Sequence, residues 1–302
     1  MSEDRAITIR PLRAFDDMHA VVDLQRTYWG TNLESVIPAH MLFSLANYGG
    51  HVLTAFDGAK PIGVLVGFLG TSMDAPERPA MANLQIVSKR MVVLPEYRGH
   101  GIGYRLKLAQ RDLALRQGIR LVVWTFDPLL ALNAHLNIRK LGAVCPEYLV
   151  DPYGTRAEGG LAALGSSDRL QVEWWVTNRR VEERIGGNRA ALTLAQYLQA
   201  NTAILNPPDV TADGAVVPTA VIRQPQTALA LIEIPVNYAP LITGNPDLAV
   251  AWRKHTRTVF LNALAQGFVV TDFLRENHEG RERAFYLLSY TNGRQSDSFS
   301  VN

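Results

Sequence analysis

Hydrophobic and polar positions along the first 176 residues alternate with two different periods, and each period predicts an element. Apolar residues at helical spacing predict helices over 15–28, 38–45 and 129–141, and a further helix from residue 102 to the residues before Gly118. Runs rich in β-branched residues predict strands over 7–12, 51–56, 61–69, 85–94, 121–126, 143–150 and 170–176. Asp57 and Gly58 form a hairpin turn between two of these strands, and a polar, proline-rich loop is predicted over 71–81. We therefore expect a mixed α/β sheet flanked by helices, in which the strands at 85–94 and 121–126 pair in parallel through the helix between them.

The remaining residues, 179–302, predict a smaller α/β extension. A short helix over 179–185 and a loop over 206–218 precede a strand over 228–236. Asn245, Pro246 and Asp247 then give the signature of a helix N-terminus, and Gly267 ends that helix before strands over 268–274 and 284–290. This strand–helix–strand–strand order repeats the order of 121–176. A partial second copy of the same half-fold, and a common order reached independently, both stay open.

The composition is typical of a soluble globular protein. Its 302 residues suffice for two domains or one large one, and no apolar run approaches the roughly 18 residues that a membrane span needs. Residues 1–5 lack the layout of a secretory signal, and a net charge of +2 gives no reason to expect a nucleic-acid partner. The single cysteine, Cys145, lies in an apolar run and cannot form an intrachain disulfide. We therefore expect a buried structural thiol, a cytoplasmic protein and no membrane partner, and a homodimer stays open.

One glycine-rich stretch, residues 95–103, lies between the predicted strand 85–94 and the helix that follows it. A strand-to-helix turn of this kind aims several backbone N–H groups and the positive end of the helix dipole at one point, which is how a phosphate is bound. The stretch lacks the third glycine of a dinucleotide fingerprint and the Gly-Lys-Ser/Thr of a P-loop. What it carries is Arg-x-x-Gly-x-Gly, at Arg98, Gly101 and Gly103.

With its flanking Val-Val-Leu-Pro-Glu-Tyr and the amphipathic helix, this stretch resembles the pyrophosphate loop of the GNAT acyl-CoA N-acyltransferases. The runs 106–111, 124–128 and 133–143 add to a resemblance that covers about the first 176 residues. It implies the GNAT fold over residues 1–178. Because a GNAT domain closes its CoA groove by itself, we expect residues 179–302 to be an extension that packs on the acceptor side and walls off a pocket. The resemblance also implies acetyl-CoA or another acyl-CoA as co-substrate.

The resemblance further implies a set of site residues. Backbone N–H groups near Met91 and Val93 are expected to polarise the thioester carbonyl. The acyl-CoA is expected to contact Met91, Val92, Val93, Arg98, Gly99, His100, Gly101, Ile102, Gly103, Asn133, Asn137 and Lys140. Asn133 matches the asparagine that holds the pantetheine arm in the family, with Asn137 as the alternative. Ile138 falls where the family has a tyrosine that protonates the departing thiolate, which is a departure from the family pattern.

The attacking amine must lose a proton. With a pKa near that of lysine, ~10.4, about one amine in a few thousand is neutral at pH 7, a deficit of roughly 4–5 kcal/mol. The strand over 85–94 offers Gln85 and Ser88 but no carboxylate, so Asp127 is the best-placed candidate base. A helix cap is the alternative role for Asp127. The histidines show no metal-ligand spacing, and no metal is expected.

Two functions fit these residues. The first is an N-acyltransferase that moves an acetyl or succinyl group to the amine of a small molecule such as an amino acid, by direct attack in a ternary complex. The second is a non-catalytic acyl-CoA sensor or accessory protein. Lys89 and Arg90 could supply charge for a carboxylate of the acceptor or of a dicarboxylic donor, although strand alternation lets only one of them face the site.

Overall fold

The computed structural model describes residues 7–30, 35–72, 79–154, 166–188 and 192–291. By their contacts these residues form two compact units, the first ending at Trp124 and the second starting at Thr125. The predicted boundary between residues 178 and 179 differs from this division and stays a prediction about domain organisation. Residues 1–5, and residues 73–78 of the predicted loop, lie outside the described residues.

The first unit is built on a strand meander with three helices. Its strands are β1 (Thr8–Pro11), β2 (Gly50–Asp57), β3 (Lys60–Thr71), β4 (Leu84–Val93) and β5 (Leu121–Phe126), of which the last two residues of β5 belong to the second unit. Its helices are α1 (Asp17–Trp29), α2 (Ala39–Asn47) and α3 (Ile102–Arg116). Strands β1 to β4 are antiparallel neighbours in chain order, and β4 pairs in parallel with β5. The predicted hairpin and the predicted parallel pairing are both confirmed.

Helices cover both faces of this sheet. Met18 of α1 packs in one core cluster with Val52 of β2, whereas Leu106 of α3 packs in another with Leu53. Because successive residues of a strand point to opposite faces, α1 and α3 lie on opposite sides of the sheet. Residues on β4 can therefore be assigned to one face or the other by the cluster that they join.

The second unit also combines helices with a sheet. In chain order its helices are α4 (Ala131–Ala134), α5 (Arg179–Ile185), α6 (Leu194–Gln199), α7 (Ala239–Gly244) and α8 (Pro246–Ala265). Its strands are β6 (Val144–Leu149), β7 (Arg169–Trp175), β8 (Ala203–Ile204), β9 (Asp209–Val210), β10 (Val216–Val217), β11 (Leu229–Ile234), β12 (Phe268–His278) and β13 (Arg281–Tyr290). Phe260 of α8 stacks on Tyr148 of β6, with ring centroids 5.6 Å apart, and lies edge to face with Tyr286 of β13. This aromatic group joins the extension to the strands that precede it.

The strands of the second unit lie in the order β7-β6-β12-β13-β11-β8. Within it β6 and β12 are antiparallel neighbours, with Cys145 opposite Val270. On each side of that pair lies the strand that follows in sequence, β7 beside β6 and β13 beside β12, both antiparallel. The pair β7-β6 therefore mirrors the pair β12-β13 across this contact, and both explanations of the repeated strand–helix–strand–strand order stay open.

The largest difference from the predicted elements concerns residues 129–141. Only α4 is α-helical, and His135–Lys140 forms a π-helix, in which Leu141 N–H donates to the Leu136 carbonyl at 3.0 Å. Gly142, at φ +73°, then ends the helix as predicted. Helices α6 and α7 and the two-residue strands were not predicted. Within the described residues, none of the helices has the length and apolar character to cross a membrane.

Candidate functional site

The glycine-rich loop joins β4 to α3 through two glycines in the left-handed region. A 3₁₀ turn over Pro95–Tyr97 follows β4, and Gly99 and Gly101 then adopt φ values of +82° and +77°. Gly101 is the N-cap of α3 and has no side chain to cap it, so the first N–H groups of the helix have no capping partner from that residue. A Cβ atom at Gly99 or Gly101 would meet no protein atom within 4 Å. The space over both glycines is open, as a site that admits a phosphate to the backbone requires.

Side chains hold this loop against the first unit. Arg98 Nε donates to the Val93 carbonyl at 3.1 Å, and its guanidinium lies 5.8 Å from the ring centroid of Tyr28. The hydroxyl of Tyr97 donates to Asp57 at 2.8 Å, which raises the pKa of Tyr97. The loop is therefore fixed at its start, while Arg98, Gly99 and His100 stay exposed.

Strand β4 carries a bulge just before its last residues. Its register with β3 shifts between Gly67, which faces Ser88, and Val66, which faces Arg90, so Lys89 is the extra residue. Past the bulge, Met91 and Val93 pack in the cluster of α3. Strand β4 pairs with β5 at Ile86 and Val87, so the end of β4 continues beyond that ladder. The carbonyl-polarising role of backbone groups near Met91 and Val93 stays a prediction.

The bulge also places the side chains of Lys89 and Arg90 in different environments. Lys89 is exposed, whereas Arg90 is partly buried with its guanidinium 4.4 Å from the ring centroid of Trp29 on α1. Arg90 therefore points to the α1 side of the sheet, beside an aromatic ring. Of the two residues, Arg90 has the ordered environment that carboxylate recognition needs.

A buried polar group in the first unit was not predicted. Lys107 of α3 is 2% exposed, donates to Ser88 Oγ at 2.9 Å and lies 3.4 Å from the ring centroid of Trp124. Gln110, one turn along, bonds the ring of His51 at 2.8 Å. The sequence contains a signal for this group, because 106, 107, 110 and 114 have the spacing of one helix face, and two of those residues are polar.

Asp127 lies in the second unit, 3% exposed, with both oxygens occupied. Arg253 of α8 binds it in a bidentate pair, at 2.9 Å from Nη1 and 2.6 Å from Nη2, and Arg169 lies 3.7 Å away. Oδ1 also accepts from the N–H of Leu129 at 2.9 Å, as the helix-cap role requires. This environment suits an ion pair that anchors α8, and it does not favour a carboxylate that must take up a proton from an amine.

The other predicted residues of the second unit lie on the α4 and π-helix segment. Asn133 and Lys140 are exposed, whereas Asn137 and Ile138 are buried. The exposed Asn133 is thus the more accessible of the two asparagines predicted for the pantetheine arm. Cys145 is buried in β6, and burial raises the pKa of its thiol well above the ordinary value, as a structural thiol would show. Among the described residues, no three His, Cys, Asp or Glu side chains come together as metal ligands would.

Comparison with known proteins gives a family for part of the chain. Residues 18–140 match the family model of the acetyltransferase (GNAT) family. No curated protein matches the chain.

Several solved structures are similar to it. The ribosomal-protein alanine N-acetyltransferase of Escherichia coli is 14% identical, over 57% of this chain and 94% of its own, with a TM-score of 0.43. NAA60 of Arabidopsis thaliana, solved with acetyl-CoA, is 13% identical, over 56% of this chain and 98% of its own, with a TM-score of 0.46. An N-acetyltransferase of Staphylococcus aureus is 14% identical, over 57% of this chain and 99% of its own, with a TM-score of 0.44.

The family match begins in α1 and ends at the π-helix, so it includes β4, the glycine-rich loop and α3. This is the stretch whose residues carry the resemblance. Residues 18–140 are therefore similar in sequence to the acetyltransferases of the GNAT family.

Proposed function

We propose that this chain transfers an acyl group, acetyl or succinyl, from acyl-CoA to the primary amine of a small molecule that carries a carboxylate, such as an amino acid. The observation that carries the proposal is the strand–loop–helix geometry at residues 84–116, within a stretch that matches the GNAT family. In it the pyrophosphate lies over Gly99 and Gly101, where backbone N–H groups and the N-terminus of α3 meet it. The exposed Arg98 and His100 flank the same loop.

The transfer proceeds by direct attack in a ternary complex. Backbone N–H groups of Met91 and Val93 polarise the thioester carbonyl, and the neutral amine attacks it. The carbon–nitrogen bond forms, the carbon–sulfur bond breaks, CoA leaves as a thiolate, and the proton lost by the attacking nitrogen neutralises that thiolate. Because a thiol has an ordinary pKa of ~8.5, the thiolate leaves tolerably well without the tyrosine that Ile138 replaces.

Arg90 is the residue from which we infer that a substrate carries a carboxylate. Its guanidinium is always charged, and its position against Trp29 limits its rotamers, so it presents a planar donor fork to a carboxylate. Lys89 is exposed at the bulge, where ordering a long side chain around a ligand costs more rotamer entropy. We therefore assign carboxylate recognition, on the acceptor or on a dicarboxylic acyl donor, to Arg90.

Release of free CoA thiol tests the function directly. Acetyl-CoA and succinyl-CoA are each incubated with amino acids, with polyamines, which have no carboxylate, and with a peptide that has a free N-terminus. We expect thiol release with amino acids above that with polyamines. In Arg90→Ala the KM of the carboxylate-bearing substrate is expected to rise about tenfold or more, because a charged hydrogen bond is lost, with kcat little changed.

Lys89→Ala is the matched control, since it removes a neighbouring charge from an exposed position. Binding of acyl-CoA without thiol release for any amine would favour the sensor function instead. Equal donor and acceptor preference in wild type, Lys89→Ala and Arg90→Ala would contradict the role of Arg90 while leaving acyl transfer intact.

A further inference from the structure

A cavity lies in the first unit, at the end of α3 away from the glycine-rich loop. It has a volume of about 250 Å³, and its walls come from the end of β1, the end of α2, the start of β2 and the last turn of α3. Since α3 has 15 residues and a helix rises about 1.5 Å per residue, about 20 Å separates this end of α3 from Gly101. The cavity is therefore separate from the loop on which we propose that acyl-CoA binds.

Hydrogen bonds hold two walls of this cavity in place. Asn47 Nδ2, at the end of α2, donates to the Arg13 carbonyl at 3.1 Å. On the opposite wall, the N–H of Gln117 donates to the Leu113 carbonyl at 3.1 Å and closes the last turn of α3. The backbone that carries the lining side chains is thus fixed before a ligand arrives, and such pre-organisation lowers the cost of binding.

Two arginines line the cavity, Arg13 after β1 and Arg116 at the end of α3. Both are exposed, and neither guanidinium makes a hydrogen bond or an ion pair with any residue that the structure describes. Among the described residues that line the cavity, none is acidic. The lining therefore carries positive charge without a counter-charge of its own, and the planar fork of a guanidinium suits a carboxylate.

His51 adds a buried hydrogen-bond donor to this wall. Gln110 Oε1 accepts from Lys107 Nζ at 3.4 Å, so the amide NH₂ of Gln110 faces His51 and donates to its Nε2 at 2.8 Å. Burial lowers the pKa of His51 to about 4, so the ring is neutral at pH 7 and its one proton is on Nδ1. That Nδ1 makes no hydrogen bond with any described residue, although His51 is only 4% exposed. A nearly buried residue of the cavity wall thus has an N–H without a protein acceptor, which an anion can supply.

Most of the remaining lining is apolar. These side chains are Pro11, Leu12, Ala46, Val52 and Leu113. A bare inorganic anion would leave them in contact with water, whereas a hydrocarbon chain would bury part of their surface. At about 30 Å³ for each molecule of liquid water, the volume corresponds to about eight water molecules, which is room for a short-chain carboxylic acid.

We propose that this cavity binds a small carboxylate with a short apolar chain. The carboxylate lies between Arg13 and Arg116 and accepts the N–H of His51 Nδ1, and the chain packs against the apolar side chains of the lining. The site is distinct from the glycine-rich loop and does not depend on the proposed acyl transfer.

The experiment uses the full chain, with butyrate as the probe and the ring C–H resonances of His51, assigned with His51→Gln, as the NMR signal. At constant ionic strength we expect butyrate to shift these resonances to saturation. Butyramide, which has nearly the same shape but no charge, should leave them unchanged. Acetate should bind about tenfold more weakly than butyrate, because it has two fewer methylene groups to bury.

Substitutions of the arginines test the charge. Arg13→Gln and Arg116→Gln should each raise the Kd of butyrate about tenfold or more, because each removes a charged hydrogen-bond donor from an exposed position. Arg120→Gln is the matched control, since Arg120 is exposed just past α3 and does not line the cavity. It should keep the wild-type Kd, and Arg90→Ala should keep it too, which separates this site from the carboxylate recognition assigned to Arg90.

Several results would overturn the proposal. They are no shift of the His51 resonances with butyrate, equal shifts with butyrate and butyramide, an unchanged Kd in both Arg13→Gln and Arg116→Gln, and displacement of butyrate by acetyl-CoA. Tighter binding of inorganic phosphate than of butyrate would overturn the assignment of a carboxylate with an apolar chain. None of these results bears on acyl transfer, which release of CoA thiol tests separately.

Discussion

At the scale of single residues, burial decides which polar groups of the first unit carry charge. His51 is 4% exposed and bonded to Gln110, and its pKa lies at about 4 where an ordinary histidine has 6.5. The unfolded chain therefore binds a proton at this residue between those two values, and the folded chain does not. Protonation of His51 consequently pulls the equilibrium toward the unfolded state as the pH falls through this window.

This difference predicts a pH dependence of stability. Stability contributed by His51 is fully present above pH 6.5 and is lost toward pH 4, by about 3 kcal/mol over the window. Urea unfolding of wild type and His51→Gln at pH 7 and at pH 4.5 measures it, with His19→Gln, on an exposed position of α1, as control. Wild type and His19→Gln should lose more stability than His51→Gln. Parallel losses in all three proteins would show that His51 titrates normally.

At the scale of elements, buried ion pairs attach α8 to the strands before it. Asp127, at the end of β5, binds Arg253, and Asp168 and Asp151 bind Arg257 one turn further along α8. Asp272 of β12 likewise binds Arg139 of the π-helix and Arg184 of α5. Ion pairs of both polarities thus link the extension, through Arg253, Arg257 and Asp272, to residues that precede it in the chain.

The contribution of the Asp127–Arg253 pair to the free energy of unfolding can be measured. Asp127→Asn leaves a buried guanidinium without its charge partner and should cost about 3–5 kcal/mol in urea unfolding. The double variant Asp127→Asn, Arg253→Met removes both charges of the pair and should cost clearly less than Asp127→Asn and Arg253→Met together. Additive losses would mean that the two residues do not act as a pair. Acyl transfer retained in a folded double variant would also exclude Asp127 as the base.

The elements also show what hydrophobic pattern can and cannot predict. The bounds of β5 and α5 follow from their sequences, because β5 is an apolar run and α5 begins at an asparagine cap, Asn178. The π-helix was predicted as α-helix, since its extra residue per turn leaves no mark in the apolar spacing. Strand β8 has two residues and no pattern of its own, and it is ordered by pairing with β11.

The residues of the candidate site likewise divide into those that the sequence predicted and those that it did not. The glycine loop was predicted from Arg98, Gly101 and Gly103 and their flanking residues, which a sequence displays directly, and the positive φ values fall on Gly99 and Gly101. Lys107 was not predicted, because a lysine on a helix is normally exposed and only the tertiary contacts with Ser88 and Trp124 show otherwise. The ion pair of Asp127 likewise joins residues 126 positions apart.

At the scale of the whole molecule, the second unit repeats one arrangement on either side of the β6–β12 pair. In each half a helix precedes the inner strand and the next strand lies outside it, as α8, β12 and β13 show. The glycine-rich loop, by contrast, occurs once, between β4 and α3, in the residues that the structure describes. We therefore expect one acyl-CoA site in each chain, on that loop.

Binding of acetyl-CoA, measured by titration calorimetry, tests this account most directly. Gly101 and Gly118 lie at opposite ends of α3, at φ +77° and +69°, and a Cβ atom at either would meet no protein atom within 4 Å, so valine imposes similar backbone strain at each. We predict one site per chain in wild type and in Gly118→Val, and an affinity lowered tenfold or more, about 1.4 kcal/mol, in Gly101→Val. Wild-type affinity in a folded Gly101→Val chain would contradict the assignment of the loop as the pyrophosphate site.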